Sequence, residues 1–98
     1  MATIWSVQTI FGNVNNAPAG EAHSKSDAEA FETQNEAMAE YGERFKAGLP
    51  ADATSAMIYL WRADPRPKGR VHSVVKHAHF WKDQDGTHCN EFSGALQV

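Results

Sequence analysis

Thr54-Ser55-Ala56-Met57-Ile58-Tyr59-Leu60-Trp61-Arg62 is the most informative segment of this chain. Read as a strand, it sends Ala56, Ile58 and Leu60 to one side and Met57, Tyr59 and Trp61 to the other, because side chains alternate along an extended backbone. Both faces are apolar. A single sheet built on this strand therefore needs cover on both sides, and only one helix is available to supply it.

That helix precedes the strand. Ser26 followed by Glu29 has the form of a capping box, which predicts a helix over Asp27 to Ala47. Phe31, Met38 and Phe45 recur every seven residues, Gln34 and Tyr41 fill the intermediate positions, and Ala30 and Ala37 flank the stripe. Gly48 and Pro50 end it. Before the helix, Thr3 to Phe11 reads as a strand with Trp5, Val7 and Phe11 on one parity, closed by Gly12. Asn13 to Lys25 is small and polar and reads as a loop.

After residue 62 the chain turns at Asp64, Pro65, Pro67 and Gly69. Arg70 to Lys82 then forms a long third strand with a bulge at Val74 and Val75. Asp85 and Gly86 make a hairpin turn, and Thr87 to Phe92 returns as a fourth strand. The expected order is β-α-β-β-β, an α+β domain with the long helix (about 27 to 47) on one face of a four-stranded, mainly antiparallel sheet. At 98 residues the chain is one domain over 1–98.

Composition narrows the function classes. The chain is 42% hydrophobic and 21% charged, an ordinary globular balance. No run suits a membrane span, and Met1 to Phe11 lacks the pattern of a signal peptide. One cysteine, Cys89, permits no internal disulfide. A cytoplasmic location and no membrane partner are expected. The net charge of −3 conceals two opposed segments: 21–52 has eight acids against three bases, net −5, whereas 62–82 has six bases against one acid, net +5.

His77 and His79 share one strand face, and a hairpin pairing Trp81 with His88 adds a third imidazole to it. Such a set can hold zinc with one position open. No carboxylate is fixed beside it by spacing, and solvent-facing histidines explain the pattern more simply. The H-x-H pair is similar to that of cupins, whose eight-stranded double sheet does not fit beside a long helix. Asp83, Gln84, Asp85, Gly86 and Glu91 suggest a calcium loop, but the glycine falls too early. Cys89 and His88, as strand neighbours, point to opposite faces and make no nucleophilic pair. No nucleophile elbow or phosphate-binding loop is present. No cofactor is expected.

Three surfaces can meet a partner. Met57, Tyr59 and Trp61, beside Trp81, form an aromatic patch of the kind enriched in interfaces, unless the long loop or the tail from Ser93 to Val98 covers it or the parity is reversed and they form the core. Arg66, Lys68 and Arg70 form a basic hairpin that can contact phosphates. Glu29, Glu32, Glu36, Glu40 and Glu43 form an acidic helix face, with Glu40 and Arg44 placed to attract at i,i+4. Glu32, Glu36 and Glu40 repel one another and can imitate a phosphate backbone.

In size and element order the chain resembles many small phage or mobile-element proteins that inhibit host defence by contact, anti-CRISPR proteins among them. The resemblance covers architecture alone. It implies a non-catalytic protein-binding module, an inhibitor whose partner is another protein such as a nucleic-acid-handling complex; the aromatic face can equally join a second copy of the chain. The alternative is a small metal-binding or catalytic domain using His77, His79 and His88. The third reading is nucleic-acid binding through the basic 62–82 hairpin.

Overall fold

The computed structural model describes residues 2–12, 25–49 and 53–93. Among them the chain forms five strands and one helix: β1 (Ile4–Gly12), β2 (Lys25–Phe31), α1 (Gln34–Ala47), β3 (Ser55–Arg66), β4 (Gly69–Asp83) and β5 (Gly86–Ser93). The sheet is antiparallel throughout, in the order β2-β1-β3-β4-β5. The domain is thus α+β as expected, with five strands rather than four. No described helix is long and apolar enough to cross a membrane.

The extra strand comes from residues expected to begin the helix. Lys25 to Phe31 pairs with β1, setting Phe31 opposite Trp5 and Asp27 opposite Thr9. The helix starts only at Gln34. Its cap is Thr33, whose hydroxyl accepts from the Glu36 amide at 3.2 Å and donates to the Glu36 carboxylate at 2.7 Å. The Ser-x-x-Glu pattern at Ser26 was therefore misleading, and the Thr-x-x-Glu pattern seven residues later is the true start. At the other end Gly48 takes φ 68°, a conformation costly for any side chain, and its amide reaches the Arg44 carbonyl at 3.1 Å.

β1 is flanked by β2 and β3, both antiparallel to it, so β2 and β3 run parallel and α1 carries the chain across β1 between them. The core lies under that crossing. Val7, Ala56, Ile58, Leu60, Ala78 and Phe80 from the sheet meet Ala37 and Tyr41 from the helix, with Phe31, Phe45 and Trp5 at the margin. The helical row that faces the core is Ala37, Tyr41 and the half-buried Phe45, at four-residue steps, and not Phe31, Met38 and Phe45. Phe31 belongs to β2, and Met38 is 38% exposed. The bulge expected at Val74 and Val75 is present, since pairing with β3 passes from Lys76 directly to Val74. The 13–24 loop, Pro50 and the 94–98 tail lie outside the described residues.

Candidate functional site: the open face of the sheet

The register fixes which side chains lie opposite the helix. Ala56, Ile58 and Leu60 are buried toward α1 at 2%, 1% and 0% exposure, so Met57, Tyr59 and Trp61 occupy the other face, each half-buried. Across the sheet, Ala28, Gln8, Tyr59, His77 and Phe92 form one row through all five strands. The adjacent row runs Ile10, Met57, His79 and Asn90.

The rings of this face touch in sequence. Trp61 and Tyr59 lie 5.8 Å apart between centroids, Tyr59 and His77 5.9 Å, and His77 and Phe92 5.0 Å. A second group joins His79 to Trp81 at 5.1 Å and Trp81 to His88 at 5.3 Å. Trp81 pairs with His88 as the hairpin spacing required. The Trp61 indole donates to Gln8 Oε1 at 3.1 Å, which anchors the ring from β1. Beside it Ser6, Gln8, Ala28, Trp61 and His72 line a shallow hollow of about 280 Å³. Sequence reasoning missed Phe92, which is 44% exposed. The signal was available, because any pairing that places His88 on this face carries Asn90 and Phe92 with it.

The three histidines share the face without converging on a point. His77, 1% exposed, is held between the Tyr59 and Phe92 rings. Trp81 contacts both His79 and His88, and His88 Nε2 lies 3.0 Å from Asp83 Oδ1. Among the described residues no three His, Cys, Asp or Glu side chains are grouped to hold a metal ion. The hydrogen bond from His88, followed by the Asp85 amide, holds the Asp83 carboxyl below the usual carboxylate range.

The opposite side of β5 belongs to the helix. Tyr41 donates to Glu91 Oε2 at 2.9 Å, and Lys76 Nζ sits 3.3 Å from the same oxygen and 4.9 Å from the Tyr41 ring centroid. Burial and then the Glu91 bond push the Tyr41 phenol well above its ordinary value. Cys89 lies on this side, opposite Phe80, so it is separated from His88 by the sheet. Partial desolvation and the Glu91 carboxylate push its thiol up, away from the reactive thiolate.

The charged surfaces are rearranged relative to expectation. Glu29 lies on β2 and Glu32 in the bend before α1, leaving Glu36, Glu40 and Glu43 on the helix. The supposed repulsion of Glu32 along the helix is therefore absent. Glu40 pairs with Arg44 at 2.7 Å, as the spacing predicted. Arg66 and Lys68 stand exposed at the tip of the β3–β4 hairpin, whereas Arg70 donates to the Ala2 and Ala63 carbonyls at 2.9 and 3.3 Å. Arg62 pairs with Asp64 at 2.9 Å, and bonds from Thr3 and then Arg62 hold the Asp64 carboxyl below the usual range.

No family model, curated protein or solved structure matches the chain.

Proposed function

We propose that this protein is a non-catalytic binding module that docks on another protein through the open face of its sheet, acting by occupying the partner's surface. The observation that carries this reading is the unbroken row of rings from Trp61 through Tyr59 and His77 to Phe92, on the face that the helix leaves uncovered. Aromatic side chains and methionine are the types that anchor protein interfaces, and Met57 stands in the adjacent row. The strand positions of this face hold one carboxylate, Asp83, already engaged by His88 at its rim. The exposed Arg66 and Lys68 suit a partner with an apolar centre and acidic groups at its edge.

The other surfaces offer less. Two of the five acids expected on the helix are elsewhere, and Glu40 is held by Arg44, so the row is a poor imitation of a phosphate backbone. The dispersed histidines and the raised Cys89 thiol give no catalytic constellation among the described residues.

The test is capture from a lysate of the source cell with wild type and Trp61→Ala side by side. A protein retained by wild type should be lost with Trp61→Ala, a weakening of about 2 kcal/mol or more for a central anchor, and kept with Glu43→Lys. Circular dichroism should show both variants folded. Capture indifferent to Trp61, or tight binding of an oligonucleotide at physiological salt, overturns the reading.

A further inference from the structure

The two edges of the sheet are not equivalent. β2 is guarded in the manner of natural edge strands. It carries Asp27 and Glu29 as exposed charges, and the Asp27 carbonyl already accepts from Arg44 at 2.9 Å. Self-pairing centred on Ala28 would set Asp27 against Glu29 of a second copy, like charges directly opposed. β5 has none of these devices. It runs eight residues from Gly86 to Ser93 without proline or lysine. Its one charge, Glu91, is turned back onto Lys76 and Tyr41.

The backbone of β5 has a definite outward set. Only Gln84 and Asp85 separate Asp83 from its partner Gly86, so this two-residue turn makes Asp83–Gly86 a hydrogen-bonded pair. Hydrogen-bonded and non-hydrogen-bonded pairs alternate along an antiparallel ladder. The amides and carbonyls of Gly86, His88, Asn90 and Phe92 therefore face β4, and those of Thr87, Cys89, Glu91 and Ser93 face outward. Among the described residues no strand pairs with that outer side.

We propose that the chain forms a symmetric dimer by antiparallel pairing of β5 with β5 of a second copy, centred on Asn90. This goes beyond docking on a different protein and does not depend on it. The register is self-consistent, because it opposes Cys89 to Glu91 and Thr87 to Ser93 of the second copy, so that the outward groups meet one another over the full strand. Centring on Glu91 instead would oppose two carboxylates. On the open face, the Asn90 register brings His88 against Phe92 of the second copy. The ring row of each protomer then meets that of its partner, and two sheets become one of ten strands with both open faces on the same side.

The proposal is read by mass in solution, by sedimentation across a concentration series. Wild type should reach the mass of two chains. Cys89→Pro removes an outward amide that β4 does not use, a position where an edge strand tolerates proline. It should raise the dimer dissociation constant roughly tenfold or more while keeping the fold. Should that variant unfold, cross-linking decides independently. Asn90→Cys in a Cys89→Ser background places two thiols across a non-hydrogen-bonded pair, with Cα atoms about 4.5 Å apart, and should give a disulfide dimer on mild oxidation. His88→Cys in the same background should not, because its two copies lie four residues out of step. A chain that stays monomeric throughout overturns the proposal, as does a dimer that fails to cross-link at Asn90.

Discussion

Arg44 is the side chain that ties the helix to the sheet. Its guanidinium, 13% exposed, reaches Glu40 at 2.7 Å, donates to Thr9 Oγ1 at 3.0 Å and caps the Asp27 carbonyl at 2.9 Å. Three elements, α1, β1 and β2, meet on one residue. The carboxylates around it are more exposed, so the hydrogen bonds to Thr9 and Asp27 contribute more than the ion pairs. Arg44→Leu should cost about 1–3 kcal/mol, since the buried Thr9 hydroxyl loses its donor, and a urea midpoint that falls with an unchanged slope would show it. Asp83 gives a second test. Its carboxyl is held low by His88, so its contribution to stability is present above the ordinary aspartate range and disappears as pH falls through the depressed value. In an NMR titration Asp83 should therefore lose its proton at a lower pH in wild type than in His88→Ala. Identical midpoints would remove the pair as the cause.

The elements differ in how far the sequence revealed them. β3, β4 and β5 were legible because Ala56, Ile58 and Leu60 alternate with Met57, Tyr59 and Trp61, and because turn residues stand where the hairpins close. Even the bulge in β4 was signalled by the adjacent Val74 and Val75, which break the alternation. β2 was not legible. Ala28, Glu29 and Ala30 are good helix formers, and a false capping box precedes them. Their strand conformation comes from pairing with β1 and from Arg44, contacts distant in sequence that override local preference. The same error moved Phe31 onto a helical stripe and Glu29 onto a helical face. The open-face parity survived, because it depends on β3 alone. The corrected helix start predicts that Thr33→Ala costs about 1 kcal/mol through loss of the cap, measured by chemical denaturation. Ser26→Ala should leave helix content unchanged, because α1 begins only at Gln34.

Across the described residues, the two faces of the sheet differ in chemistry. On the helix side the acids of α1, Asp27 and Glu29 of β2, and Glu91 are interleaved with Arg44 and Lys76, while the other face is aromatic and imidazole-rich, holds Asp83 as its strand carboxylate, and has Arg66 and Lys68 exposed at the β3–β4 hairpin tip. On the proposed docking, Arg66 and Lys68 would be rim charges, which act mainly on association rate. The structure changes which residues should be reversed to test this. Arg70 holds the Ala2 and Ala63 carbonyls and Glu40 holds Arg44, so altering either disturbs folding as well as the surface. Arg66→Glu with Lys68→Glu touches only exposed positions at the hairpin tip. It should slow association with the partner several-fold at low salt and leave dissociation nearly unchanged, with the difference fading as ionic strength approaches physiological values. Glu32→Lys with Glu43→Lys, both exposed on the helix side, should leave the association rate unchanged or slightly faster. Stopped-flow measurements across a salt series separate the two pairs. A rate that collapses on reversing the acids would move the docking surface from the open sheet face to the helix.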